Sequence, residues 1–230
     1  MSRTALIIGT GPGLSASFAR ICAREGLAVA LAARRPEKID GLADEIGASR
    51  HRCDASRRED VERLFTDLDR DGRDLEVVLY NPSARVRGSI VEIDPEAVRD
   101  ALMTACYGGF LVGQAAARRM LARGGGSILF TGASASVKGY PQSASFAMGK
   151  FGLRGLAQSM ARELAPRNVH VAHFVIDGGI AKGPSDPRGG ESADSLLDPD
   201  AIASTYWAVH AQHRSAWTWE VELRPWVETF

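Results

Sequence analysis

Closely spaced glycines in Gly9-Thr10-Gly11-Pro12-Gly13-Leu14 follow directly on an apolar run at residues 5–8. Glycine permits positive φ and lets backbone amides approach a pyrophosphate, whose charge a helix N-terminus favours. Glycine turns end many strands, but one at the first strand–helix junction of a repeating pattern points to a nucleotide site. Roughly twenty residues further on, where an acidic side chain would take the adenosine ribose hydroxyls of NAD, the chain carries Ala32-Ala33-Arg34-Arg35. Arginine can grip a 2′-phosphate through a charge-assisted fork, which favours NADP(H) over NAD(H). The alternative leaves Arg34 and Arg35 as solvated residues opening the next helix. His170 and His173 fall in a strand pattern, where their odd offset sends them to opposite faces, and His210 and His213 have helical spacing but no third ligand nearby. No metal is indicated.

The elements that must position these residues follow from periodicity. Apolar runs at residues 5–8, 27–32, 75–80, 127–131, 169–176 and 217–223 alternate with amphipathic stretches, the rhythm of a parallel sheet covered by helices. Leu14, Phe18, Ile21 and Cys22 recur at helical spacing, as do Val61, Leu64, Phe65 and Leu68. Residues 101–123 are long enough for one continuous helix ending at Gly124-Gly125-Gly126, and residues 151–164 form another that Pro166 closes. The final run sets Trp217, Trp219, Val221 and Leu223 against polar neighbours and predicts an edge strand with one greasy face. Residues 182–199, rich in Gly, Pro, Ser and Asp, read as a lid over the cleft or as a surface insertion without function. The fold class is α/β: residues 1–230 form one doubly wound, Rossmann-like parallel sheet flanked by helices.

The chain has 230 residues, enough for one core, and 28 basic residues balance 28 acidic ones. Without a basic run, neither nucleic acid nor an anionic membrane surface is an expected partner, and a small-molecule substrate is. Cys22, Cys53 and Cys106 are odd in number and lack metal-ligand spacing, and two of them fall in apolar helical patterns, which predicts buried, reduced thiols in a reducing compartment. The first apolar run is too short for a signal or spanning segment, so the expected location is cytoplasmic.

In order and spacing these segments resemble the short-chain dehydrogenase/reductase superfamily over nearly the whole chain. The family's Gly-x-x-x-Gly-x-Gly matches Gly9, Gly13 and Ser15, with the last glycine changed to a small hydroxyl residue. Its adenine-contacting aspartate maps to Asp54 in Cys53-Asp54-Ala55. Its Asn-Asn-Ala-Gly appears as Tyr80-Asn81-Pro82-Ser83, retaining Asn81. The segment beside the nicotinamide resembles Ile176-Asp177-Gly178-Gly179-Ile180, with aspartate where the family has proline. The resemblance implies an NAD(P)-dependent oxidoreductase. It also implies a homodimer or homotetramer packed through the helices at residues 105–121 and 151–164. Cofactor contacts would come from Gly9, Thr10, Gly11, Gly13, Leu14, Arg34, Asp54, Asn81, Lys150, Gly178, Gly179 and Ile180.

Carried over one at a time, the family's catalytic positions give a depleted set. Tyr-x-x-x-Lys falls on Phe146 and Lys150, the serine on Ala133 with Ser134 one step further, and the asparagine on Ala105. Lys150 can still hydrogen-bond ribose hydroxyls and place charge near the nicotinamide. A phenyl ring supplies no proton, and general acid–base catalysis is typically worth 10²–10⁴-fold, on the order of 3–5 kcal/mol. Tyr140 is the first candidate substitute, or an aromatic packed against the lid. Ser134, Ser143 and Ser145 suit orienting hydrogen bonds. Asp177 is a proton donor if desolvated, or a turn residue. Tyr107, Phe110, Tyr140 and Met148 line an apolar pocket or belong to the core. Two readings follow: an atypical oxidoreductase that reduces a carbonyl or an activated C=C, or a cofactor-binding sensor with little turnover.

Overall fold

Continuous apolar runs put apolar side chains on both faces of a strand, so both faces of the sheet must be covered, and this dictates the architecture. The computed structural model describes residues 2–182, 186, 188 and 195–228. Seven strands, β1 Ser2–Ile8, β2 Ala28–Ala33, β3 Ser49–Arg52, β4 Arg73–Tyr80, β5 Gly126–Thr131, β6 Val169–Ile176 and β7 Glu220–Leu223, form one sheet in the order β3-β2-β1-β4-β5-β6-β7. Every pairing is parallel. The helices are α1 Leu14–Arg24, α2 Asp40–Ile46, α3 Arg58–Arg70, α4 Pro95–Leu102, α5 Gly108–Arg123, α6 Ala144–Leu164 and α7 Pro199–His210.

The period of two divides the core. Leu6, Ile8, Ala30 and Ala32 meet Val61, Leu64 and Phe65 of α3 and Val112 and Met120 of α5 on one face. Ala5, Ile7, Val29 and Leu31 meet Phe18 and Ile21 of α1 and Ile202 and Tyr206 of α7 on the other. The chain reverses its direction of travel across the sheet between β1 and β4, so the crevice beyond their carboxyl ends is where a ligand is received.

Several sequence expectations change. The helix expected over residues 101–123 starts earlier, at Pro95, where Asp94 accepts bonds from the Glu96 and Ala97 amides. It is also interrupted by a π turn, Met103–Tyr107, in which the Gly108 amide reaches back to the Met103 carbonyl. The Tyr80 hydroxyl donates to the Thr104 carbonyl within that turn. A Cβ on Gly108 would lie 2.5 Å from the Tyr80 hydroxyl and 2.6 Å from the Ala55 carbonyl, so only glycine admits this approach. The helix expected at residues 151–164 begins at Ala144, which makes Phe146 and Lys150 helical. The greasy face expected over residues 217–223 does not form as one surface. Trp217 and Trp219 precede β7, with Trp217 stacked on His170 and Trp219 beneath the Arg154 guanidinium, while Val221 and Leu223 pack on the α1/α7 core. Cys22 and Cys53 are buried thiols, whereas Cys106 is only half-buried.

Candidate functional site

The glycine turn leaves β1 through Gly9, whose φ of +78° is left-handed and whose missing Cβ would sit 2.6 Å from the Pro82 nitrogen. The Gly9 and Thr10 amides both donate to the Ala32 carbonyl, at 3.0 and 3.2 Å. Ser15 pins the turn to the neighbouring strand end. Its Oγ accepts from the Gly11 amide at 3.3 Å and from Asn81 Nδ2 at 2.9 Å, and it donates to the Gly9 carbonyl at 3.3 Å. The first turn of α1 contains no acidic residue, so the electropositive helix end is not answered from within the helix.

Beyond this turn lies a cleft of about 370 Å³ that gathers Gly9, Thr10, Arg34, Asp54 and Asn81. Arg35 and Lys38 line it as well, and none of the three cations forms an ion pair among the described residues. Lys38 was not among the sequence candidates; its spacing from Arg34 across the 3-10 turn Pro36–Ile39 is the signal that would have found it. Asp54 Oδ1 accepts from the Ser56 amide at 3.1 Å and the Ser56 hydroxyl at 2.7 Å. The Asp54 amide donates to Asp60, and chiefly through that bond the Asp60 carboxyl is held below the usual carboxylate range.

Lys150 is buried, and its Nζ donates to the Thr131 carbonyl at the end of β5, 2.8 Å away. Loss of hydration lowers its pKa from the usual lysine value to about 8. The Phe146 ring centre is 5.9 Å from Nζ and 4.9 Å from the Arg85 guanidinium carbon. Ala105 is buried, and a Cβ on Gly149 would come within 2.8 Å of the Ala105 methyl, so α6 rests directly on the π turn.

The proton-donor candidates are dispersed. Ser134 opens the 3-10 turn Ser134–Ser136 and is half-buried. Tyr140 is 41% exposed and lines a separate hollow of about 460 Å³ with Ile90, Pro141 and Ala147. Ser143 Oγ accepts from Arg85, and Ser145 Oγ bonds both the amide and the carbonyl of Val86. Asp177 is buried between two cations, Lys138 at 3.4 Å and Arg224 at 3.3 Å. Gly178, Gly179 and Ile180 follow β6, and Ile180 forms a parallel bridge with Leu197. Residues 183–185, 187, 189–194 of the expected lid lie outside the described residues.

A polar chain behind β5, buried at Ser136 and His173 and half-buried at Glu220 and Arg154, was missed by sequence reasoning. Ser136 Oγ lies 3.3 Å from His173 Nε2, His173 Nδ1 lies 3.1 Å from Glu220 Oε2, and Glu220 takes a bidentate fork from Arg154 at 2.6 and 2.7 Å. Burial lowers the His173 pKa to about 4 despite the carboxylate beside it. Although desolvation opposes it, the Arg154 fork and His173 hold Glu220 below the usual carboxylate range. The four residues come from four separate elements, so no spacing could have revealed them. His170 takes different partners, with Nε2 at 2.9 Å from the Thr218 carbonyl, in keeping with the expected split of the two histidines.

A family model described as short chain dehydrogenase matches residues 3–182. A 3-oxoacyl-[acyl-carrier-protein] reductase MabA of Mycobacterium avium is 29% identical over 180 residues, covering 78% of this chain and 68% of that protein. A crystal structure of a short-chain dehydrogenase from Rhodopseudomonas palustris superposes with a TM-score of 0.85 at 38% identity, covering 97% of this chain and 99% of that one. A metagenomic short-chain oxidoreductase in complex with NADP superposes with a TM-score of 0.83 at 25% identity, covering 98% of each chain.

Proposed function

This chain belongs to the short-chain dehydrogenase family, and from that premise we propose that it is an atypical oxidoreductase, preferring NADP(H), that reduces a carbonyl or an activated C=C of a small molecule. The observation that carries the reading is the cleft in which the glycine turn and three exposed cations, Arg34, Arg35 and Lys38, line one continuous surface. The residues fit a dinucleotide: the Gly9 approach to Pro82 excludes a side chain, and α1 offers its amides without a competing carboxylate. The turn and α1 would hold the pyrophosphate, Asp54 the adenine, the three cations a 2′-phosphate, and Lys150 the nicotinamide ribose. Gly178, Gly179 and Ile180 would border the nicotinamide.

When bound, the reduced cofactor supplies a hydride. Lys150 contributes orientation and charge: with one N–H committed to Thr131, its remaining donors are available to ribose hydroxyls. Phe146, at the position of the family's tyrosine, contributes no proton. Ser134 and Tyr140 are retained as hydrogen-bonding candidates that would act only after movement of their loops.

Fluorescence titration with NADPH and NADH, followed by a panel of ketones and enones read by cofactor oxidation, tests the reading. NADPH binding tighter than NADH binding, with turnover, is expected. Binding of neither cofactor overturns the assignment, and tight binding without turnover overturns its enzymatic half.

A further inference from the structure

The loss of the tyrosine hydroxyl coincides with a cation that no transferred pattern assigns. Arg85 lies on the segment after β4, with its guanidinium carbon 4.9 Å from the Phe146 ring centre and its Nη2 donating 2.9 Å to Ser143 Oγ. A phenyl ring seats a guanidinium on its π face. The segment is fastened to the start of α6 around that seat. Ser145 Oγ takes the Val86 amide at 3.0 Å and gives to the Val86 carbonyl at 2.8 Å, and the Gly88 amide donates to the Gln142 carbonyl at 3.2 Å. Ser143 and Ser145 are both buried, so these anchors are fixed, while Arg85 itself is exposed and keeps donors for a ligand. Beside this seat, Gly88, Ala144 and Ala147 pass into the apolar hollow bordered by Ile90, Tyr140 and Pro141.

We propose that Arg85, seated on Phe146, holds the carbonyl oxygen of the substrate and stabilises the negative charge that reduction places there, and that the substrate is an apolar α,β-unsaturated carbonyl compound. The proposal rests on the oxidoreductase reading above. Its chemistry favours an enone over a simple ketone. When the β-carbon of an enone gains a hydride, the C=C pair moves to form a bond between the α-carbon and the carbonyl carbon, and the C=O pair moves onto oxygen. The resulting enolate is far less basic than the alkoxide of a reduced ketone, so a fixed cation suffices and water later supplies the proton to the α-carbon. An arginine is suited to this because it stays charged and its planar fork meets an oxygen while stacked, and preorganised donors of this kind are typically worth about 10²–10³ in rate.

The test uses 4-nitrophenol, a planar stand-in for the enolate whose ionised form is visible by absorbance. With NADP⁺ present, the wild-type protein is expected to bind the phenolate and lower its apparent pKa by about one unit, a roughly tenfold preference for the anion. R85M should abolish the shift, R85K should recover only part of it, and NADPH affinity measured by fluorescence should be unchanged in both. With cyclohex-2-enone, R85M should lose about 100-fold in kcat/KM, partly restored by millimolar guanidinium. An identical phenolate shift in wild type and R85M, with NADPH binding intact, overturns the role of Arg85 alone. Turnover of cyclohexanone equal to that of the enone overturns the substrate class. Failure of the wild type to bind either dinucleotide removes the underlying reading and this proposal with it.

Discussion

Lys150 is a lysine that the fold holds against its chemistry. Its pKa falls from 10.5 to about 8 because burial penalises the ammonium. Between these values the unfolded chain binds the proton that the native chain lacks, so stability rises with pH across the window and the full penalty applies below pH 8. That penalty is about 3 kcal/mol. The difference in unfolding free energy between K150M and wild type, from denaturant titrations, should therefore favour K150M at pH 7 and shrink by pH 10.5. A difference independent of pH would show that the ammonium is not desolvated. The cleft cations make a separate prediction. Charge-assisted hydrogen bonds are worth about 1.5–3 kcal/mol each, so R34A or R35A should weaken NADPH binding by about 10–100-fold and leave NADH binding unchanged in a fluorescence titration. Equal loss for both cofactors would mean that the arginines meet no 2′-phosphate. Arg34 and Arg35 were legible in the sequence because their place is fixed by distance from the glycine turn, whereas Lys38 was not. Ser136 and Arg85 were not, because both matter only through partners far away along the chain.

At the β6–β7 edge a polar clamp adds to the apolar packing of Val221 and Leu223. β7 is four residues long, and Glu220 ties it to Arg154 of α6 and His173 of β6. His173 is neutral at physiological pH, with its pKa lowered to about 4 chiefly by burial. The unfolded imidazole binds its proton near 6.5, so the stability contributed by the neutral form is complete above pH 6.5 and is lost as pH falls through 4. Wild type should lose up to about 3 kcal/mol more than H173L between pH 6.5 and 4, read by urea unfolding, with β7 amides exchanging first. Parallel loss in both proteins would remove His173 as the cause. The clamp explains part of what periodicity could and could not reveal. Six of the seven strands announce themselves as apolar runs. β3, Ser-Arg-His-Arg, is an edge strand with alternating burial and carries no such signal. The π turn is equally silent, since its cause is the close approach of Gly108 to Tyr80 and Ala55, a tertiary contact. α4 was legible after all, in the Asp94-Pro95-Glu96 start that the longer apolar pattern overshadowed.

The described surface leaves an apolar face where two long helices meet. Gly149 lies on Ala105 and Gly152 on Cys106, with no room for a Cβ at either contact, so α6 closes tightly on the π turn. Next in sequence to these contact residues are Tyr107, Met148 and Phe151, which make two i,i+3 pairs: Tyr107 with Phe110, whose rings stack at 6.1 Å, and Met148 with Phe151. All four are 39–53% exposed. A cluster of large apolar side chains on helices marks an association surface, and a formal net charge of zero opposes self-association only weakly. We therefore expect a second copy of the chain to cover this face, giving a homodimer or, with another contact surface, a homotetramer. Light scattering of the purified protein should return at least twice the mass of one 24.7 kDa chain. F110E and F151E each place an unpaired carboxylate in the middle of that contact, a burial expected to cost several kcal/mol, and should yield monomers at micromolar concentration. Because Lys150 is carried by the same helix as Met148 and Phe151, the monomeric variants should also bind NADPH less tightly, by a few-fold rather than completely. A wild-type protein that scatters as a single chain at every concentration would instead leave these aromatics as a surface for some other molecule.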